Sequence, residues 1–430
     1  MVKENQKVDE NSKNNDEMFG WRPKDLRWST NIVSGKFANQ STGHESENET
    51  NLSNEAKTFI KNVQKHNFIR LSFTDLNGMH LSKLLPTRFA KKIAEGKCEM
   101  YSGIITFGPR FEVTNIPEIV KKSTVSEPIP CTKYNDMYKT SLLSFYEDFF
   151  ADVDYNLQIA KIDVQDYSNE DGDGQLECPL MPTWGLSAAD NYFIFKQAVK
   201  EIGSKHEMEI SFMTKPLLNA SSSGCHYNHS LWYADSNRNA FFDEKDPDGL
   251  SSFARHWIAG LIEHLPAMSA ICSPTVNCYR RFHKHLAPSA ANWDFHDRFV
   301  AIRVKNFDEK RTYVENRIPS SASCSYHVLA ATLAAGLDGL ERQLQLPPAG
   351  LKANKEQTKV HVKLLPGTVH EALQLLKEDK ILANKLGEDF VDWFIRVKEL
   401  GDLSSLSDLN IHDNREETLA FERYEYFNFI

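Results

Sequence analysis

The stretch SSSGCHYNHSLW (residues 221–232) opens with a serine and glycine run that neither a packed helix nor a packed strand would choose, and then sets His226 and His229 three apart. Glycine and serine there let the backbone come close to a neighbouring group, and the imidazoles then stand beside whatever is held. Two readings are open. The segment is the rim of a ligand site, or it is a loop entering a strand, with His226 hydrogen-bonded in the core and His229 on the surface. The first needs carboxylates and arginines from elsewhere in the chain.

Upstream, EDGDGQLE (170–177) holds Glu170 and Glu177, seven apart across a glycine-rich turn. Both carboxylates reach one point only if the chain between them folds back, and a hard divalent cation takes such oxygen ligands. The alternative is a solvated acidic loop. Downstream, RTYVENRIP (311–319) presents Glu315 and Arg317 two apart, hence on one face if the chain is extended. With YRRF (279–282) and DRFVAIRV (297–304) it supplies Arg280, Arg281, Arg298, Arg303 and Arg317. Arginine forks beside carboxylates suit phosphoryl transfer, where metals bridge phosphate oxygens and guanidinium groups stabilise the transferring group.

The chain of 430 residues is 41% hydrophobic and 25% charged, enough for one large domain and a smaller one. Its net charge of -9 argues against nucleic acid as the main partner. The start, MVKENQKVDENSKNNDEMF, lacks the apolar centre of a signal peptide, and the apolar run VLAATLAAGL (328–337) is too short to span a bilayer, so the expectation is a cytoplasmic protein without a membrane partner. Seven cysteines with no C-x-x-C pair form neither a disulfide framework nor a zinc site. Residues 1–57 are rich in Asn, Ser, Glu and Lys and are expected to be a disordered tail. A small β domain begins beyond it, where Ile69, Leu71 and Phe73 alternate and Asn77-Gly78 makes a hairpin turn. Ser187 and Asp190 open a helix carrying Tyr192, Phe195, Val199 and Ile202. MEISFMTKP (208–216) reads as a strand, Leu250 to Leu265 as a second amphipathic helix, VAIRVKN (300–306) as a strand, and 367–400 as mainly helical.

Taken in order, DLNGMHLSKLLP, GQLECPLMPTWGLSAADNYFIFKQAVKEI, FMTKP, SGCHYNHSLW, GLSSFARHWIAGLIEHLPAMSAICSPTVNCYRRF and VLAATLAAGLDGL give the chain, from about residue 66 to its end, a sequence that resembles the glutamine synthetase superfamily. The resemblance implies an α+β fold: a shortened β-grasp domain at 58–102, then a catalytic-type α/β domain at 103–430 with a curved antiparallel sheet. It also implies a homo-oligomeric ring with sites between neighbouring subunits. Such enzymes make γ-glutamyl phosphate from glutamate and ATP and let ammonia displace the phosphate, with two Mg2+ or Mn2+ ions on the phosphates.

By the same resemblance His226 is a metal and substrate histidine, Gly224 lines the substrate and Ser230 the nucleotide, whereas His229 has no such role. The family pattern G-x-E-x-E reads GPRFE (108–112) here, with Glu112 kept and Arg110 replacing the other glutamate. Glu112, Glu170 and Glu177 then make one metal triad, and His226 and Glu315 belong to a second site facing Arg110. Arg280, or Arg281 one residue on, matches the substrate arginine; Arg298, Arg303 and Arg317 match phosphate and substrate positions. The flap pattern Y-E-A-P reads HLAP (285–288), so Leu286 replaces the base that takes the ammonium proton. After EGKCEMYSGI the chain passes almost at once to TFGPRFE, omitting the ammonium-binding aspartate and part of the fold, which is expected to expose sheet edges. The ending FERYEYFNFI and these degraded site segments are most similar to a branch regarded as non-catalytic and found in the eye lens. The expected function is therefore a catalytically impaired, structural oligomer with a cytoskeletal or intermediate-filament partner. The alternative is an active ATP-dependent ligase for ammonia or another amine.

Overall fold

The computed structural model describes residues 26–32, 53–74, 80–95, 140–282, 287–351, 362–400, 403, 416–428 and 430. In chain order, β1 (Leu26–Ile32) and α1 (Asn54–Val63) lead to a hairpin of β2 (Phe68–Thr74) and β3 (His80–Pro86), then to the short α2 (Ala90–Ala94) and α3 (Thr140–Phe145). Next come α4 (Glu147–Ile159), β4 (Ser168–Asn169), β5 (Leu176–Glu177), β6 (Thr183–Trp184), α5 (Ser187–Lys205) and β7 (Tyr227–Tyr233). The remainder is α6 (Ser252–Cys272), β8 (Trp293–Phe295), β9 (Ile302–Asn306), β10 (Thr312–Asn316), α7 (Ser325–Glu341), α8 (Val369–Glu378), α9 (Lys380–Leu386), α10 (Glu388–Leu400) and α11 (Glu416–Tyr426).

One sheet, in the order β6-β1-β7-β10-β9-β8, organises the molecule. Its pairs are antiparallel except β8 with β9. One face of the sheet carries Tyr227, Leu231, Ile302, Val304 and Val314 into the core, and the other carries the polar residues that alternate with them. The core face is covered by α6, whose N-cap Ser251 accepts the Ala254 amide at 3.1 Å and whose Trp257, Leu261, Leu265 and Met268 are fully buried. α6 crosses α7 so closely that a Cβ on Gly260 would stand 2.2 Å from the Ala335 carbonyl oxygen. Glycine at that crossing is what lets the two backbones meet.

Two expectations about the elements are revised. Within the polar segment 1–57, Leu26–Ile32 forms a strand that is hydrogen-bonded to β7 along its whole length, from Leu26 opposite Tyr233 to Ile32 opposite Tyr227, and to β6 on its other edge. The main-chain ladder replaces the apolar surface that the segment lacks. The stretch 208–216 is not a strand: its amides find single partners, Phe212 N donating to Ile430 O at 3.1 Å, while Thr214 O accepts from Ser223 N at 2.7 Å. The β2–β3 ladder pairs Phe68 with Pro86 through Thr74 with His80, and the Asn77-Gly78 turn expected between the two strands lies within 75–79, outside the described residues.

The buried His264 staples the helical layer. Its Nδ1 is 2.6 Å from Asp379, the N-cap of α9, and its Nε2 is 2.9 Å from Asp338 of α7, which Arg342 also holds. Burial opposes the charged ring, but the two carboxylates raise the His264 pKa above the ordinary 6.5 and are themselves held below 3.8. A raised histidine pKa stabilises the fold fully below its unfolded value and stops doing so as pH rises through the folded one; the lowered aspartates lose theirs as pH falls through their folded values. The staple is therefore strongest between about pH 4 and 6.5. The unfolding midpoint should fall from pH 6 to 8, and His264→Gln should flatten that fall. An unchanged slope in the variant would exclude the staple as its source.

Candidate functional site

Residues directly opposed across the sheet share a face, and the register sets Arg303 opposite Glu315, Lys305 opposite Tyr313 and Glu315 opposite Asn228. Glu315 is 1% exposed, and its carboxylate is the centre of a cationic cluster. Arg317 Nη1 donates to its Oε1 at 2.5 Å and Arg303 Nη1 to its Oε2 at 3.2 Å, while Lys305 Nζ lies 3.7 Å from Oε2 and His226 Nδ1 3.5 Å from Oε1. Burial alone would raise the Glu315 pKa; Arg303, Arg317 and Lys305 hold it well below the carboxylate range. Burial and Arg317 push His226 well below 6.5, so the ring is neutral.

The neutral tautomer follows from its neighbours. Arg281 Nη2 lies 3.4 Å from His226 Nε2, and a guanidinium has only protons to offer, so Nε2 carries the lone pair and Nδ1–H faces Glu315. Gly224 permits this approach: a Cβ there would stand 2.8 Å from Arg281 Nη2 and 3.2 Å from His226 Nε2. Arg281 is fixed by donating to the carbonyls of Ile318 and Arg317 at 3.0 and 2.9 Å. Arg280, the residue expected on the substrate, turns the other way into a fork with Glu422 of α11, at 2.8 and 2.7 Å. Of the adjacent pair, Arg281 is the one that reaches the histidine.

The acidic hairpin does fold back. β4 and β5 pair Ser168 with Glu177, and Glu170 N donates to Gln175 O at 2.9 Å. Glu170 and Glu177 are hydrogen-bonded to each other, and burial together with the Glu177 charge raises the Glu170 pKa well above 4.5. Two carboxylates pressed together repel each other unless positive charge lies between them, so this donor pair fits a divalent metal ion. The hairpin also touches the 221–224 loop: Ser221 Oγ donates to Asp171, and Gln175 Nε2 donates to Ser223 Oγ at 3.0 Å. Glu112, Arg110 and Leu286 lie outside the described residues, and among the described residues no group of three acidic, histidine or cysteine side chains is gathered for a metal.

The His226 and Glu315 donor set does not fit a second ion. The histidine's lone pair faces a guanidinium, and both carboxylate oxygens are engaged by cations. Arg298 stands in the loop before β9 and adds its charge to Arg303, whose pKa falls to about 10, mainly through burial. Ser230 lies on β7, four residues after His226, which precedes the strand, so roughly 13 Å separates them at the rise of an extended chain. It is buried, and its hydroxyl accepts from Trp232 Nε1 at 2.9 Å. His229 is a core histidine rather than a surface one. It accepts from Trp257 Nε1 at 3.0 Å, and burial lowers its pKa to about 3. Lys305 is the site residue that the sequence reading missed; its one signal was a lysine two positions after Arg303 in a strand.

Residues 108–415 match the glutamine synthetase catalytic domain. The chain is similar to human lengsin, with 29% identity over 74% of this chain and 59% of that protein. It is equally similar to the glutamine synthetase of Thermotoga maritima, with 31% identity over 68% of this chain and 67% of that one. Among solved structures it resembles a GmaS/ADP complex, with a TM-score of 0.59 and 23% identity over 85% of this chain and 98% of that chain, a likeness of fold. The chain spans about half to two thirds of the length of the curated relatives it matches.

Proposed function

This chain belongs to the glutamine synthetase family, and from that premise we propose that it is a catalytically impaired member, able to bind at the family site but not to carry ligation through. The observation that carries the reading is the engagement of Glu315 by Arg303, Lys305 and Arg317, with the His226 lone pair turned to Arg281. The family works with ATP and divalent metal ions, and metals that bridge phosphate oxygens are central to phosphoryl transfer. A site that fills a metal position with its own cations lacks one of them. Leu286 in place of the flap base and Arg110 in place of a glutamate support the same reading from the sequence.

Glu170 and Glu177, with Glu112, would hold one Mg2+ or Mn2+, which would neutralise charge on phosphate oxygens. Titration with Mn2+ tests this: one ion per chain is expected, and Glu177→Gln should weaken its binding at least about tenfold, near 1.4 kcal/mol. A second ion of equal affinity would overturn the reading. The alternative of an active ligase is decided by turnover. A homo-oligomeric ring is part of the proposal, supported by the exposed stripe of Trp393, Val397 and Leu400 on α10 and tested by light scattering. The cytoskeletal partner rests on the sequence resemblance and is tested by co-sedimentation.

A further inference from the structure

Away from the arginines, buried oxygens gather where the β2–β3 hairpin joins the acidic one. Leu84 N donates to Tyr167 O at 3.3 Å and Tyr167 N to Leu84 O at 3.0 Å, so the segment 164–169 runs between β3 and β5 with a neighbour on each side. Val164 stands opposite Leu180 and Ser168 opposite Glu177, so three residues, 165–167, face only two, 178 and 179. The extra residue makes a bulge, which turns a side chain out of the regular alternation. Gln165 thereby meets its neighbour: its Nε2 donates to Asp166 Oδ2 at 3.0 Å, the oxygen that Lys83 Nζ also approaches at 3.0 Å. With the amide nitrogen committed to that carboxylate, Gln165 Oε1 is turned from it. Among the described residues, Gln165 Oε1, Asp166 Oδ1 and Ser168 Oγ are buried and make no hydrogen bond. Asn169 Oδ1 is orphaned too, but it alternates to the Tyr167 side of the segment.

Leu84 opposite Tyr167 sets Lys83 opposite Ser168, so Lys83, Asp166 and Ser168 share a face, and the bulge adds Gln165 to it. Gln165, Asp166 and Ser168 are 9%, 2% and 0% exposed. Oxygens left unmade at that depth are costly, and three within four residues call for one positive group that serves them all. We propose that Gln165 Oε1, Asp166 Oδ1 and Ser168 Oγ hold a monovalent metal cation, K+ or Na+, at the bulge. Two neutral oxygens and one carboxylate suit a singly charged ion whose hydration shell they replace. A divalent ion takes more carboxylate, and Lys83 already answers the charge of Asp166. Because β3 bears Lys83 and Ser168 lies opposite Glu177, the ion ties the β2–β3 hairpin to the strand that presents the acidic pair. The site is separate from the divalent position given to Glu170 and Glu177 and does not depend on whether the chain ligates anything.

The experiment is thermal unfolding of the full chain in KCl, NaCl and choline chloride at one ionic strength, with choline-neutralised EDTA to strip any divalent ion. K+ or Na+ should raise the midpoint by about 2–3 °C over choline at a hundredfold excess over its half-saturating concentration, and the ion that acts at the lower concentration is the occupant. Ser168→Ala removes an oxygen that makes no hydrogen bond, so its midpoint in choline should match or exceed that of the natural chain, while the half-saturating concentration rises at least about tenfold. Equal midpoints in the three salts would mean that water alone satisfies these oxygens, and they would overturn the proposal. So would a Ser168→Ala variant that keeps the full K+ or Na+ response. Should that variant fail to fold, equilibrium dialysis of the natural chain against radioactive Rb+ decides: about one ion per chain, displaced by K+ or Na+ but not by choline, is expected, and none bound sinks the site. Since EDTA removes the divalent ion, a failure here leaves the Mn2+ titration of Glu170 and Glu177 untouched.

Discussion

Leu286→Glu is expected to form no more γ-glutamyl hydroxamate than the natural chain, and the natural chain to form little or none. A general base contributes on the order of a hundredfold to ten-thousandfold in rate, so in a site lacking only its base the substitution would recover that factor. On the proposed reading the base is one defect among several that share a site, and such losses do not add. His226 and Glu315 stay locked among Arg281, Arg303, Lys305 and Arg317 whichever residue occupies position 286. Phosphoryl transfer depends on positioning and on metal-bound phosphate oxygens more than on proton removal. Robust hydroxamate formation by the natural chain would remove the pseudoenzyme reading and install the ligase. A gain of a hundredfold in the variant would show that the rest of the site is sound.

Glu422→Gln should cost about 3–5 kcal/mol of stability, measured by urea unfolding, because it removes the buried negative charge that the Arg280 fork addresses. Glu422 is 0% exposed, and it accepts from Arg280 Nε and Nη2 and from Asn277 Nδ2 at 2.8, 2.7 and 2.7 Å. Asn277 in turn receives the Lys215 amide at 2.7 Å, so α11 ties the Arg280–Arg281 turn to the segment that leads into the 221–224 loop. Replacing both partners, with Arg280→Met and Glu422→Leu together, should cost much less than the sum of the two single changes. A loss under about 1 kcal/mol in the single variant would mean that the pair is hydrated and that α11 does not hold the site together.

How far the sequence could be read depended on what each feature's cause was. α5 and α6 were legible because their buried residues recur at helical spacing, a property of neighbours along the chain. β1 was legible in principle, since Leu26, Trp28, Thr30 and Ile32 alternate, but the polar composition around it outweighed four residues. The stretch 208–216 misled in the opposite way: Ile210 and Phe212 alternate with polar residues, yet its hydrogen-bond partners lie on the 221–224 loop and at Ile430. No local pattern announces partners that distant.

Residue order along the chain determined the family, the helices and hairpins, and the set of chemical groups available to a site: paired glutamates, a histidine after a glycine, and a run of arginines. Those are matters of composition and short-range spacing. Only the tertiary structure decided that Arg281 faces His226 while Arg280 faces Glu422, that the Glu170 and Glu177 carboxyls meet, and that Lys305 joins the arginines on Glu315. Adjacent side chains are equivalent in sequence; strand register, burial and the loss of water around a charge make them different, and these are set by partners that stand 55 residues away for Arg281 and 142 for Arg280.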